Sequence, residues 1–299
     1  MNVKKMKERW AMHIPWRYLL CALGTVLLCG FSGFQGSPVG TDEVSIYAWL
    51  HYSRQELLQM GELASDYSVM SCFTGMQWFV VILPVLAAFP AVTDFAGQWF
   101  GGYYYPSISR TTRRKYAARW MMKAAWQGFA CVVAGILIYF VLVYLKFPHY
   151  REFGLEADSS MIAMAYGATA GKRLLVLALK VFHIGLLAAV FSMGSVALTV
   201  VCKEGFFAIS SLALVEYFSQ KLSSAYEGLM IVRYYNKGLE DVPLSCKLVR
   251  FLFPSNHLYY DQSFSYEYGV GYWLYLIFAG LLIAGICLWF YKMVKGRNG

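Results

Sequence analysis

The run AAWQGFACVVAGILIYFVLVYL (124–145) carries no charge, while the stretch before it, YYYPSISRTTRRKYAARWMMK (103–123), carries six cations and no acid. About 20 apolar residues in a helix cross about 30 Å of hydrocarbon. The first run is therefore long enough to span a membrane, and the second marks the side from which it enters. A transmembrane helix is expected over 122–145, with Arg110, Arg113, Arg114, Lys115, Arg119 and Lys123 leading into it.

The rest of the chain fits that reading. Of its 299 residues 59% are hydrophobic and 14% charged, against about 25% charged in an average soluble domain, and the mean hydropathy is +0.47. Apolar windows place six spans at about 16–34, 70–92, 122–145, 174–202, 205–219 and 271–291, in one transmembrane domain covering 1–299. The expected fold is thus all-α and polytopic. The hydrophobic N-terminal segment is read as a retained first helix rather than a cleaved signal, because further spans follow it.

Charge distribution assigns the sides. Residues 1–14, the 93–121 loop, the 203–204 turn and the tail from Lys292 hold thirteen Lys and Arg in about 55 residues, whereas 35–69, 146–173 and 220–270 hold ten in about 115. The positive-inside rule puts the first group, with both termini, in the cytoplasm of a multi-pass cell-membrane protein. The net charge of +9 lies in short clusters at the ends of apolar runs with no nucleic-acid motif around them, so no nucleic-acid partner is expected.

Several segments carry finer expectations. Val3, Met6, Trp10 and Ile14 recur at helical spacing among Lys4, Lys5, Glu8 and Arg9, which describes an interfacial helix ended by Pro15; a solvated basic tail has the same charge pattern. In the fourth span Gly185, Ala188, Ala189, Ser192 and Ser195 permit close helix contacts. The fifth run, GFFAISSLALVEYFS (205–219), is only about 22 Å long as a helix. Glu216 near its end is either a mid-membrane carboxylate on a substrate path or a side chain reaching outer water past a short helix. With straight helices counted from the 203–204 turn, Lys180 and Glu216 differ in height by about 16 Å, too far to pair. The 220–270 loop is expected to form short helices on or in the outer leaflet.

Catalytic and metal chemistry finds no candidates. Cys21, Cys29, Cys72, Cys131, Cys202, Cys246 and Cys287 form no CxxC pair, and His13, His51, His149, His183 and His257 are scattered without an HExxH spacing. GATAGKR (167–173) falls one residue short of a P-loop and has Arg173 where the metal-binding hydroxyl belongs. No cofactor is expected on this chain, and any ATP hydrolysis is expected on another.

That absence returns attention to the loop. In FPAVTDFAGQWFGG (89–102), Thr93 and Asp94 can cap a short helix, and Gly101 with Gly102 can end it. Ser107 or Ser109 can then cap a second helix running into the third span. A basic anchor among anionic head groups accounts for the charge of this loop but not for its length or its Gly-Gly break.

The segment WFGGYYYPSISRTTRRKYAARWMMKAAWQG (99–128) resembles the loop between the second and third spans of ABC-2-type permeases, the six-span membrane subunits of ATP-binding-cassette transporters. Gly102, Arg110, Tyr116 and Arg119 or Lys123 follow the order glycine, arginine, tyrosine, cation. Gly97 stands at the position usually acidic, with Asp94 one turn earlier. The resemblance implies a non-enzymatic permease that pairs with a second permease, identical or homologous, and with cytoplasmic ABC ATPase subunits that bind ATP and Mg. It implies a cytoplasmic coupling helix at 93–105, with Asp94, Trp99, Gly101, Gly102, Arg110 and Tyr116 as coupling or ATPase contacts. Trp10, Arg113, Arg114, Arg119 and Lys123 would anchor the chain in the lipid bilayer interface, and Glu216 would lie on the substrate path. A peptide, antibiotic or lipid-like export substrate suits the aromatic, weakly charged spans. Two other functions fit the same sequence: a membrane scaffold or sensor docking a cytoplasmic partner through the 93–123 loop, and an intramembrane lipid enzyme.

Overall fold

A computed structural model describes residues 16–31, 45–60, 82–103, 108, 110–149, 152, 173–235 and 272–296. Among these the chain is all-helical, without a strand. The helices are α1 (Trp16–Phe31), α2 (Ser45–His51), α3 (Arg54–Gln59), α4 (Leu83–Phe100), α5 (Arg113–Lys146), α6 (Arg173–Cys202), α7 (Gly205–Tyr235) and α8 (Tyr272–Gly296). Three are long and apolar enough to cross a membrane: α5, the Val181–Cys202 part of α6 and the Leu276–Gly296 part of α8. α1 and the Gly205–Ser219 part of α7 are shorter apolar helices. The interfacial helix expected at 1–14, including Trp10, lies outside the described residues.

α5 is the centre of the bundle and packs against α1, α4, α6 and α8. Its side chains leave notches for its neighbours. A Cβ on Gly128 would lie 2.6 Å from Ser192 Cβ and 2.7 Å from the Ala188 carbonyl oxygen, so α5 and α6 touch backbone to backbone. Ser192 Oγ donates to the Ala124 carbonyl at 2.8 Å across the same contact. Small residues expected to permit close packing in this span do permit it, Gly185 included, against Phe129 and Val133.

α1 runs parallel to α5 in a fixed register, with Gln127 bonded to Tyr18 and Gly135 seated on Ala22 and Thr25. Against α4, α1 makes a different contact. Pro90 sits inside α4, where it has no N–H to offer the carbonyl four residues earlier. That carbonyl, on Leu86, accepts the Cys21 thiol of α1 at 2.9 Å. In an apolar environment an unpaired carbonyl is costly, so the neighbouring helix supplies the donor that proline removes.

One cap and one helix end differ from the sequence expectation. No helix starts at Thr93 or Asp94; α4 continues through both to Phe100. Thr93 Oγ1 bonds back to the Phe89 and Pro90 carbonyls at 2.8 and 3.0 Å, and the Asp94 carboxylate is drawn to cations on other helices, so neither side chain caps. α5 is capped by Thr112, whose Oγ1 accepts from the Lys115 amide at 3.4 Å; the expected caps Ser107 and Ser109 lie outside the described residues. α7 does not stop near 219 but runs 31 residues to Tyr235, about 46 Å of helix. The first part of the expected 220–270 loop is therefore a continuation of the fifth helix, favoured by helix formers such as Gln220, Lys221, Leu222 and Ala225. Residues 70–81 of the expected second span and 236–270 of the outer loop lie outside the described residues.

The start of α1, the end of α4, the start of α5, the α6–α7 turn and the end of α8 share one end of the bundle. Arg17, Asp94 and Lys123 join the first three, Gly205 packs on Val92 and Ala96, and Arg113 donates to the Lys295 carbonyl at 3.4 Å. This end also holds Arg110, Arg114, Lys115, Arg119, Lys203 and Lys292, and it is the basic end of the molecule. At the other end α2 and α3 pack on the close of α5. There Trp49 Nε1 donates to the Leu142 carbonyl at 3.2 Å, Lys146 lies 4.9 Å from the Trp49 ring, and Arg54 pairs with Glu152 at 2.5 Å. The segments around 45–60 and 146–152, both read from sequence as facing outward, thus meet on one side.

Candidate functional site

The basic end is organised around one carboxylate. Asp94, on the last two turns of α4, accepts from Arg17 Nη1 of α1 through Oδ1 at 3.0 Å. Its Oδ2 accepts from Lys123 Nζ at 3.0 Å and from Gln127 Nε2 at 3.2 Å, both on α5. Gln127 Nε2 also donates to the Tyr18 hydroxyl of α1, closing a polar network across three helices. Lys123 lies 4.6 Å from the Trp120 ring centroid and Arg17 5.9 Å from that of Trp16. Two cations and one carboxylate leave an excess positive charge.

Beyond Asp94 the helix has six more residues, about 9 Å, and their side chains divide sharply. Trp99 is buried, stacked on Phe95 at 5.3 Å, while Phe95 meets Trp120 at 5.1 Å and Phe290 at 5.7 Å edge to face. Tyr116 belongs to the same buried cluster. Phe100 and Tyr103 point outward, 45% and 68% exposed. The turn between them is made by Gly101, whose amide donates to the Gly97 carbonyl at 3.3 Å, and by Gly102 at φ +76°. Only glycine adopts that backbone readily, and its use here ends α4 and presents an aromatic tip.

Placement of the residues singled out from sequence follows from this. Asp94, Trp99, Gly101, Gly102, Tyr116 and Lys123 come together at the basic end; Arg110, Arg114 and Arg119 are exposed around them, and Arg113 reaches α8. Glu216 does not join them. It lies in the first half of α7, buried at 1% exposure, with Ser219 Oγ donating to its backbone carbonyl at 2.8 Å. The reading in which a short helix delivers Glu216 to outer water is overturned by the continuation of α7. Among the described residues no group of three or more His, Cys, Asp or Glu could hold a metal ion.

Sequence reasoning missed Arg17, Tyr18 and Gln127. A lone arginine beside Trp16 looks like an interfacial flank, and Gln127 is one amide in an apolar run. The signal that was available is that Lys123 and Gln127 lie four residues apart, on one helix face. No protein-family model, curated protein or solved structure matches this chain.

Proposed function

We propose that this chain is the membrane-spanning permease subunit of an ABC-2-like exporter. In this reading α1, the helix ending in α4, α5, α6, α7 and α8 are six spans of a cell-membrane protein, with the basic end and both termini in the cytoplasm. The chain pairs with a second permease and is driven by cytoplasmic ATPase subunits that bind ATP and Mg, exporting a peptide, antibiotic or lipid-like molecule. The observation that carries the reading is the Asp94 junction at the root of an exposed aromatic tip.

A push on Phe100 and Tyr103 is transmitted through about 9 Å of helix to a residue tied to both α1 and α5. That is what a coupling lever requires: an outward handle and a rigid connection to the spans that must move. The docking surface is Phe100, Tyr103 and the exposed cations nearby, while Trp99 and Tyr116 hold the lever to the bundle. Affinity purification of the full chain in mild detergent tests the proposal. A soluble Walker-A ATPase should co-purify, and Phe100→Ala with Tyr103→Ala should reduce its recovery at least about fivefold, the size of a 1 kcal/mol contact loss. Repeated recovery of intact protein with no such ATPase would sink the transporter reading.

A further inference from the structure

Cys21 and Cys131 lie on the facing sides of α1 and α5. Contacts on either side of them fix the register: Gln127 bonds to Tyr18, and a Cβ on Gly135 would lie 2.5 Å from Thr25 Cβ and 2.7 Å from the Ala22 carbonyl oxygen. Tyr18, Cys21 and Thr25 recur at spacings of three and four, and Gln127, Cys131 and Gly135 at spacings of four, so each set shares one helix face. The two thiols fall between these contacts and are hydrogen-bonded to each other.

The bundle encloses the pair. Cys21 is 1% exposed and Cys131 5%, and the Cys21 thiol also donates to the Leu86 carbonyl of α4 at 2.9 Å. A disulfide needs Cβ atoms about 3.5–4.5 Å apart, and helices that touch at a glycine notch one turn away bring the two cysteines within that reach. Charged, water-soluble thiol reductants do not enter such a contact, whereas a small uncharged oxidant can.

We propose that Cys21 and Cys131 form an oxidation site, which hydrogen peroxide converts to a disulfide tying α1 to α5. Cys131, the more exposed of the two, attacks one peroxide oxygen; the O–O bond breaks, the thiol proton leaves with the departing hydroxide as water, and Cys131 becomes a sulfenic acid. Cys21 then attacks that sulfur, the S–O bond breaks, and its own proton leaves with the hydroxide as a second water. Two thiols have lost two electrons and one peroxide has gained them. The bond also removes the hydrogen that Cys21 gives to Leu86, so α4 loses its thiol tie to α1 as α5 gains a covalent one. This inference needs only the packing of α1 on α5, and it stands whether or not the chain is a transporter.

The test treats the full wild-type chain, folded in detergent, with excess hydrogen peroxide, alkylates the remaining thiols after unfolding, and maps the digest by mass spectrometry. Peptides joined through Cys21 and Cys131 should be at least tenfold more abundant than any other cysteine pair and should separate on reduction. Cys29, two turns along α1 and equally buried, should stay alkylatable. Because this measurement needs no substitution, it does not depend on a variant that folds. Cys21→Ser keeps a donor for Leu86 but removes the second thiol, so peroxide should carry Cys131 on to a sulfinic acid at least fivefold more than in wild type. Absence of the Cys21–Cys131 link, or a link from either thiol to a different cysteine in its place, would overturn the site; equal sulfinic acid in the two chains would overturn Cys131 as the attacking thiol.

Discussion

Cys21 on α1 gives its thiol hydrogen to the carbonyl of Leu86 on α4, the carbonyl that Pro90 deprives of an amide partner. The backbone hydrogen bond that proline removes from α4 is thereby replaced by one from the helix beside it. Cys21→Ala should cost about 1–2 kcal/mol, the range for leaving a buried acceptor unpaired, and Cys21→Ser should cost less. In a Pro90→Ala background the backbone amide restored by the substitution takes over the Leu86 carbonyl, so the cost of Cys21→Ala should fall by at least half. Thermal unfolding in detergent across the four variants measures the coupling; strictly additive effects would refute it.

The Asp94 junction makes a second prediction. Its members are about a third exposed, which limits each ion pair to about 0.2–1 kcal/mol. Asp94→Ala also strands two cations and Gln127, so a total loss of about 1–2 kcal/mol is expected. Asp94→Ala and Lys123→Ala combined should destabilise less than the sum of the two, as read from unfolding midpoints in detergent.

Trp99, Phe100 and Tyr103 are neighbours in sequence and should behave as opposites. Trp99→Ala opens a cavity in the Phe95–Trp120–Phe290 cluster and should cost about 3–5 kcal/mol. Phe100→Ala and Tyr103→Ala should each stay within about 0.5 kcal/mol of wild type. Unfolding midpoints of the three variants separate the core role from the surface one.

Glycines in α5 and α8 give a sterically controlled pair. Gly128→Ala drives a Cβ into Ser192 and the Ala188 carbonyl and should destabilise by about 1–3 kcal/mol. Gly280→Ala meets nothing within 4 Å, and the helix propensity of alanine should make it neutral or stabilising by up to about 1 kcal/mol.

Acid should release the far end of the bundle. The bond from Arg54, with a smaller part from the His149 amide, holds the Glu152 carboxyl below the usual glutamate range. A carboxyl depressed in the folded state adds stability above its unfolded pKa and loses it as pH falls through the folded value. Glu152→Gln should therefore lower stability at pH 7, by at most about 1 kcal/mol for so exposed a pair. The difference from wild type should vanish in strong acid; a gap that persists there would point to packing instead.

Topology provides the remaining test. Single cysteines at 111 and 230 in an otherwise cysteine-free chain should react with a membrane-impermeant reagent from opposite sides, 111 from the cytoplasm. Labelling of both from outside would overturn the orientation.

The helices were legible because their signals are local. The apolar run at 124–145, the cations before it and the Gly-Gly break after Phe100 each announce an element within a few residues. Among the described residues, the basic segments that the positive-inside rule grouped together do share one end of the bundle. Boundaries were less legible. α7 passes the polar residues after Ser219 because helix propensity continues the helix where hydropathy stops, and α4 passes Thr93 because its hydroxyl turns back to the preceding carbonyls.

By itself the sequence determined a helical chain with helices apolar enough for a membrane and a charge asymmetry between its connecting segments, since length, hydropathy and net charge are sums along the chain. Tertiary structure alone decided that Asp94 is a junction rather than a cap, that Trp99 faces inward while Phe100 and Tyr103 face out, and that Cys21 repairs the bond lost at Pro90. Each of those depends on which helix lies against which and in what register. Arg17 and Asp94 are 77 residues apart, and no periodicity within either helix records that they meet.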